Sequence, residues 1–182
     1  MGIVLVLGGT KTGKTTFAEN RAKTISENLK IPVHYIATAK EIDEEISLRI
    51  RKHRDKRPGH WITVEESSHV SEVINSLSDV HTVLILDCLT LLMTNLLFEK
   101  GRNCSREKAE EIVFHEVENI IRASKYLKSE LIIISNQVEN GLVSEHEWAR
   151  MFQDIAGITH QKLAAAADHV YMMNAGLSQK LK

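Results

Sequence analysis

The chain has 182 residues, 43% of them hydrophobic and 26% charged, with a formal net charge of −1. That is the composition of one ordinary globular domain, long enough to bury a real core. A balance so near zero excludes a global field drawing the protein to nucleic acid or an anionic membrane, and no apolar run nears the ~20 residues of a membrane-spanning helix.

The N-terminal residues Met1-Gly2-Ile3-Val4 run straight into an apolar segment, without the basic start and cleavage site of a signal peptide. Residues 3–7 read as a buried strand. Directly after it comes Gly8-Gly9-Thr10-Lys11-Thr12-Gly13-Lys14-Thr15, which fits the phosphate-loop pattern G-x-x-x-x-G-K-[ST]. Its glycines let backbone N–H groups turn toward phosphate oxygens, and the helix expected over 14–29 adds its positive end. Lys14 is expected to reach the β- and γ-phosphates of a nucleoside triphosphate, and Thr15 to hold Mg²⁺ through its hydroxyl.

Residues 33–37 give a second strand and 42–55 a helical pattern, with Ile42, Ile46 and Ile50 on one face. His53 falls beside that stripe, among Arg49, Arg51, Lys52, Arg54, Lys56 and Arg57. Two readings fit: a solvated basic helix end, or a histidine kept neutral by positive neighbours that attacks or guides a phosphate. Residues 61–64 form a weaker strand candidate. A strong one at 82–86 leads into Asp87, the only carboxylate ending a strong apolar run. Asp87 can position Mg²⁺, cap the helix expected over 88–99, or do both. Residues 100–105 read as an exposed loop in which Ser105 caps a helix over 106–128, with Glu107 and Lys108 in its first turn. A strand at 131–135, a helix over 145–167 and a weaker strand at 169–173 complete the pattern. Strand–helix alternation of this kind predicts a single α/β domain over 1–182, with a mostly parallel sheet covered on both faces. Cys88 and Cys104 are too few for a disulfide scaffold and too widely spaced for a zinc site, so free thiols in a reducing cytoplasm are expected. The other histidines show no metal-ligand spacing.

Further segments add a resemblance. They are Tyr35-Ile36-Ala37-Thr38-Ala39; Arg49-Ile50-x-x-His53; Arg57-Pro58-x-His60-Trp61-x-Thr63-x-Glu65; Asp87-Cys88-Leu89-Thr90 with Thr94-Asn95-Leu96-Leu97; Asp154-Ile155-Ala156-Gly157; and Gln161-x-Leu163 running to Asp168. With the phosphate loop, their order and spacing over essentially the whole chain resemble the bifunctional adenosylcobinamide kinase/adenosylcobinamide-phosphate guanylyltransferase family of cobalamin biosynthesis. The resemblance implies a RecA-like P-loop fold and two reactions at one nucleotide site. ATP or GTP phosphorylates the aminopropanol hydroxyl of adenosylcobinamide, and GMP then passes from GTP to that phosphate through a guanylylated histidine, which maps onto His53. It also implies that Thr38, Ala39, Lys40, Lys56, Arg57, Pro58, Gly59, Glu65 and Asp87 lie near the nucleotide, and that the protein is a homo-oligomer, a trimer with sites between subunits. The chain departs from the family at Asn136-Gln137-Val138-Glu139-Asn140-Gly141-Leu142-Val143-Ser144, where members usually read Asn-Glu-Val-Gly-x-Gly-Ile-Val-Pro.

Two other readings share the phosphate loop. A guanine-nucleotide switch would use Asp154-Ile155-Ala156-Gly157 as its D-x-x-G signature, but that run lies inside a late helical pattern and no Asn-Lys-x-Asp motif follows. Another small-molecule kinase on the same core would have no need of His53.

Overall fold

The protein is described by a computed structural model covering residues 2–40, 48, 54–55, 57–100 and 104–182. Most of the helix expected over 42–55, with His53, and also Lys56, lies outside the described residues.

Strand β1 (Ile3–Gly8) leads through the phosphate loop into α1 (Lys14–Leu29) and β2 (Val33–Ala37). Next come β3 (Ile62–Glu65), α2 (Val70–Ser76), β4 (Val83–Asp87), α3 (Leu89–Lys100) and α4 (Arg106–Ser124). The chain ends with β5 (Leu131–Asn136), α5 (Glu147–Ala166), β6 (His169–Asn174) and β7 (Leu177–Lys180). The sheet order is β3-β2-β4-β5-β1-β6-β7, parallel throughout except for the antiparallel β6–β7 pair.

The central strands are apolar on both faces because helices cover both sides. Val4, Val6, Val33, Tyr35, Val83, Ile85, Ile132 and Ile134 point to the α1 side. Their neighbours Ile3, Leu5, Ile36, Leu84, Leu86, Leu131 and Ile133 join the core under α2, α3, α4 and α5. This is the alternation that a two-residue period imposes. On α1 the buried positions are Lys14, Ala18 and Ala22, so small side chains let the helix lie close to the sheet.

The strong strands and α1 fall where the sequence places them, and Ser105 caps α4 by accepting from the Lys108 N–H. The helix expected to reach residue 128 stops at Ser124. There the N–H groups of Lys125, Tyr126 and Leu127 turn back to the carbonyls of Arg122, Ala123 and Ser124, a tightened i→i−3 pattern that ends the α-helix. Helix α2 and strand β7 were not expected. Asp154-Ile155-Ala156-Gly157 lies within α5, as its helical pattern requires.

Candidate functional site

The parallel sheet brings the ends of β1, β2 and β4 to one edge, and β5 separates the phosphate-loop strand from β4. Gly13, at φ 97°, precedes α1, and Lys11 also adopts a left-handed conformation at φ 59°. Gly8, at φ 153°, has no room for a side chain, because a Cβ would come within 2.5 Å of the Met173 carbonyl oxygen. The Thr12 hydroxyl donates to the Gly9 carbonyl at 2.9 Å, and Lys14 Nζ donates to the same oxygen at 2.6 Å. The turn between β6 and β7 supports the loop from outside, with the Gly176 N–H donating to the Thr12 carbonyl at 3.1 Å. Lys14 is buried, and burial holds its ammonium below the ordinary lysine range, while Cys88 and Asp87 pull in the opposite direction.

Asp87 closes β4 facing this loop. The Thr15 hydroxyl lies 3.5 Å from Asp87 Oδ2, and the fully buried Tyr35 hydroxyl donates to the same oxygen. Burial, reinforced by the Asp87 charge, raises the Tyr35 phenol far above its usual range, so Tyr35 is a proton donor here. The position before the first residue of α3 belongs to Cys88, so Asp87 is not that helix's N-cap. Burial pushes the Cys88 thiol up to about 12, with Asp87 adding to the effect. Both cysteines are free, as expected.

Thr15 and Asp87 offer a hydroxyl and a carboxylate, the oxygen donors that Mg²⁺ takes. No group of three or more His, Cys, Asp and Glu able to hold a metal occurs among the described residues. The donor set therefore fits an ion that completes its shell with phosphate oxygens and water, and does not fit a cage made wholly of protein.

The other residues named from sequence take distinct places. Thr38 is fully buried and ties the ends of β2 and β4 together: its hydroxyl accepts from the Cys88 N–H and donates to the Cys88 carbonyl, both at 2.8 Å. Ala39 and Lys40 continue from it, and Lys40 pairs with Glu99. The Asn95 amide donates to the carbonyls of Thr38 and Ser67, at 2.8 and 3.0 Å, and anchors this segment to α3. Arg57 lies over the Tyr35 ring, 3.6 Å from its centroid, and its buried Nε has no hydrogen-bond partner among the described residues. Pro58 accepts from the Trp61 N–H across a turn containing the exposed Gly59. Glu65, at the end of edge strand β3, pairs with Arg54 at 3.3 Å.

Sequence reasoning gave Tyr35 no role of its own and missed a buried chain at the end of β5. In that chain the Asn136 N–H donates to Thr90 Oγ1 at 2.8 Å, and Thr90 meets Ser135 at 3.1 Å. Ser135 meets His160 Nε2 at 2.7 Å, and His160 Nδ1 meets Glu139 Oε1 at 2.8 Å. A groove of about 670 Å³ between α2 and α4, over the buried Ser71–Glu116 pair, holds none of the catalytic, nucleotide or metal residues expected from sequence. No helix of the described residues is long and apolar enough to cross a membrane.

Comparison with known proteins agrees with this fold. The solved flagellar accessory protein FlaH from Methanocaldococcus jannaschii superposes with a TM-score of 0.53 at 14% identity, covering 100% of this chain and 78% of that one. A solved ATPase domain superposes at 0.52 with 15% identity, covering 94% of this chain and 68% of its own. These likenesses bear on the fold alone, and they are those of a P-loop, RecA-like α/β protein. The bifunctional adenosylcobalamin biosynthesis protein CobU of Escherichia coli is 36% identical over 185 residues, with 99% of each chain covered. The protein of the same name from Salmonella typhimurium is 35% identical over 185 residues, again with 99% of each covered. CobP of Pseudomonas aeruginosa, another bifunctional adenosylcobalamin biosynthesis protein, is 35% identical over 178 residues, covering 98% of this chain and 96% of its own. The family model described as cobinamide kinase / cobinamide phosphate guanyltransferase matches residues 4–181, and the chain belongs to that family.

Proposed function

We propose that this protein phosphorylates adenosylcobinamide with ATP or GTP and then converts the phosphate to adenosylcobinamide-GDP with GTP. The observation that carries the reading is the meeting of Thr15, which follows Lys14 in the phosphate loop, with Asp87 across the edge of the sheet. In the kinase step the acceptor hydroxyl oxygen bonds to the γ-phosphorus and the bridge to the β-phosphate breaks. The hydroxyl proton is released, and a nucleoside diphosphate leaves. Lys14 and the loop N–H groups offset the charge on the β- and γ-phosphates, and Thr15 and Asp87 would hold Mg²⁺, which would supply charge neutralisation at the phosphates.

In the transfer step a neutral His53 nitrogen attacks the α-phosphorus of GTP and pyrophosphate leaves. A phosphate oxygen of the corrinoid then displaces the histidine and frees it for the next turnover. Thr38, Ala39, Lys40, Lys56, Arg57, Pro58, Gly59 and Glu65 surround the nucleotide in this reading. Thr38 acts through its tie to Cys88 and Arg57 through its stack on Tyr35. The protein works as a homo-oligomer, a trimer by family resemblance, in the reducing cytoplasm where its two thiols stay free. Its mass in solution tests the assembly.

The decisive experiment is incubation with GTP labelled at the α-phosphate. An acid-labile, base-stable GMP adduct is expected, and His53→Ala abolishes it while kinase activity persists. Transfer of GMP to the corrinoid phosphate without any adduct would overturn the histidine route.

A further inference from the structure

We propose that Tyr35 is a positioning residue for Asp87, orienting its carboxylate for the metal–nucleotide complex. The inference rests on the reading of Asp87 as a Mg²⁺ ligand. Tyr35 is fully buried in the core layer against α1, alongside Val33, Ile85 and Trp61. Phenylalanine would fill that space equally well, and tyrosine adds one hydroxyl that must find an acceptor inside the protein. Its acceptor is Asp87 Oδ2, 52 positions along the chain and paired with the neighbouring strand: β2 and β4 run parallel with Tyr35 opposite Ile85 and Ala37 opposite Asp87.

Thr15 approaches the same oxygen, at 3.5 Å, so both hydroxyls gather on Oδ2 and leave Oδ1 uncommitted to either. A carboxylate held by one oxygen has its rotation about the Cβ–Cγ bond fixed, and a fixed ligand binds a metal without first losing that freedom. The donor is held in turn. The Arg57 guanidinium covers the Tyr35 ring at 3.6 Å and Nη1 reaches Thr63 Oγ1 at 3.4 Å, while Trp61 stacks on the ring from 6.5 Å. Tyr35 thus joins the segment carrying Arg57 to the carboxylate of β4.

The test is a Mg²⁺ titration of the full-length protein's affinity for a fluorescent guanosine 5′-(βγ-imido)triphosphate. In Tyr35→Phe the Mg²⁺-free affinity is expected to stay within about twofold of wild type. The Mg²⁺ concentration giving half of the tightening rises about tenfold, the scale of losing one hydrogen bond to a charged group. Asp87→Asn shows at least that effect, and adding Tyr35→Phe to it changes nothing further, because Tyr35 acts through Asp87. A Tyr35→Phe protein that responds to Mg²⁺ like wild type, beside an Asp87→Asn protein that does not, overturns the proposal. An Asp87→Asn protein that also titrates like wild type overturns the metal reading of Asp87, and the proposal with it.

A measurement on the unsubstituted chain guards against a variant that fails to fold. With its three tyrosines replaced by 3-fluorotyrosine, the Tyr35 fluorine signal should shift when Mg²⁺ joins the bound nucleotide, and Asp87→Asn should remove the shift. A signal indifferent to Mg²⁺ counts against the proposal.

Discussion

Strands β4 and β5 lie side by side, with Asp87 opposite Ile134, yet their carboxyl ends treat polar groups in opposite ways. At the end of β4, the hydroxyls of Thr15 and Tyr35 meet on one carboxylate, and the phosphate-loop lysine, Lys14, is buried at the expense of its charged form. At the end of β5, Thr90, Ser135, His160 and Glu139 hydrogen-bond to one another. The first cluster has charge and hydrogen-bonding capacity left for a ligand; the second uses most of its capacity internally, holding β5, α3 and α5 in register, with one oxygen of Glu139 left over among the described residues. A buried polar cluster next to a binding edge is therefore not evidence of catalysis until its donors and acceptors have been matched.

Substitutions can break that contrast. The largest effect is expected from Lys14→Met, which should lower kcat/KM of both reactions by about 100- to 1000-fold, as losing a charge aimed at transferring phosphates does. Its thermal stability should hold or rise, because a poorly solvated ammonium is removed. Loss of only one activity would argue against a shared triphosphate site.

His160→Ala should do the reverse. Stability falls by about 1–3 kcal/mol in urea denaturation, since buried partners are left unpaired, while nucleotide affinity stays near wild type. Glu139→Gly should cost less, because Glu139 Oε2 is already buried without a hydrogen-bond partner among the described residues. If His160→Ala instead left stability intact and abolished turnover, the end of β5 would belong to the chemistry.

The smallest effect lies away from both ends, at Glu116. It accepts from the Ser71 N–H at 2.7 Å and the Ser71 hydroxyl at 2.9 Å, yet burial raises its pKa above the usual carboxylate value. The folded state then holds its proton more tightly than the unfolded chain, so this group's contribution falls as pH rises from about 4.5 through the raised value. Glu116→Gln does not titrate. Wild type should therefore lose stability relative to Glu116→Gln as pH rises above about 4.5, read from paired denaturation curves. A constant difference would place the raised pKa elsewhere.

The same contrast explains what was legible in the sequence. Apolar runs such as Leu131 to Ile134 announce central parallel strands, because burial on both faces leaves no polar positions. The phosphate loop is equally plain, since its glycines and lysine occupy fixed positions along one short stretch. Strand β7 was hidden because all four of its residues are exposed and it exists by pairing with β6. Helix α2 was hidden because seven residues show too little of a 3.6-residue period, its N-cap residue His69 makes no side-chain cap, and the carboxylate that accepts from its Ser71 N–H lies 45 residues away at Glu116. Tyr35 looks like any aromatic in an apolar run. Its hydroxyl partner lies 52 residues away, and a pairing of that kind leaves no local trace. The resemblance drew attention to His53, a residue that pattern alone could not separate from a solvated basic helix end.

The small turn between β6 and β7 has a consequence for anyone who would cut or rearrange the gene. Gly176 lies against the phosphate loop, so close that a Cβ on Gly13 would stand 3.4 Å from its Cα. The final hairpin is therefore the anvil on which the nucleotide loop is shaped, not a trailing appendix. A permuted or split version that separates β7 from β6 would loosen the loop at the opposite extreme of the chain. A fusion joined beyond Lys182 leaves that buttress whole.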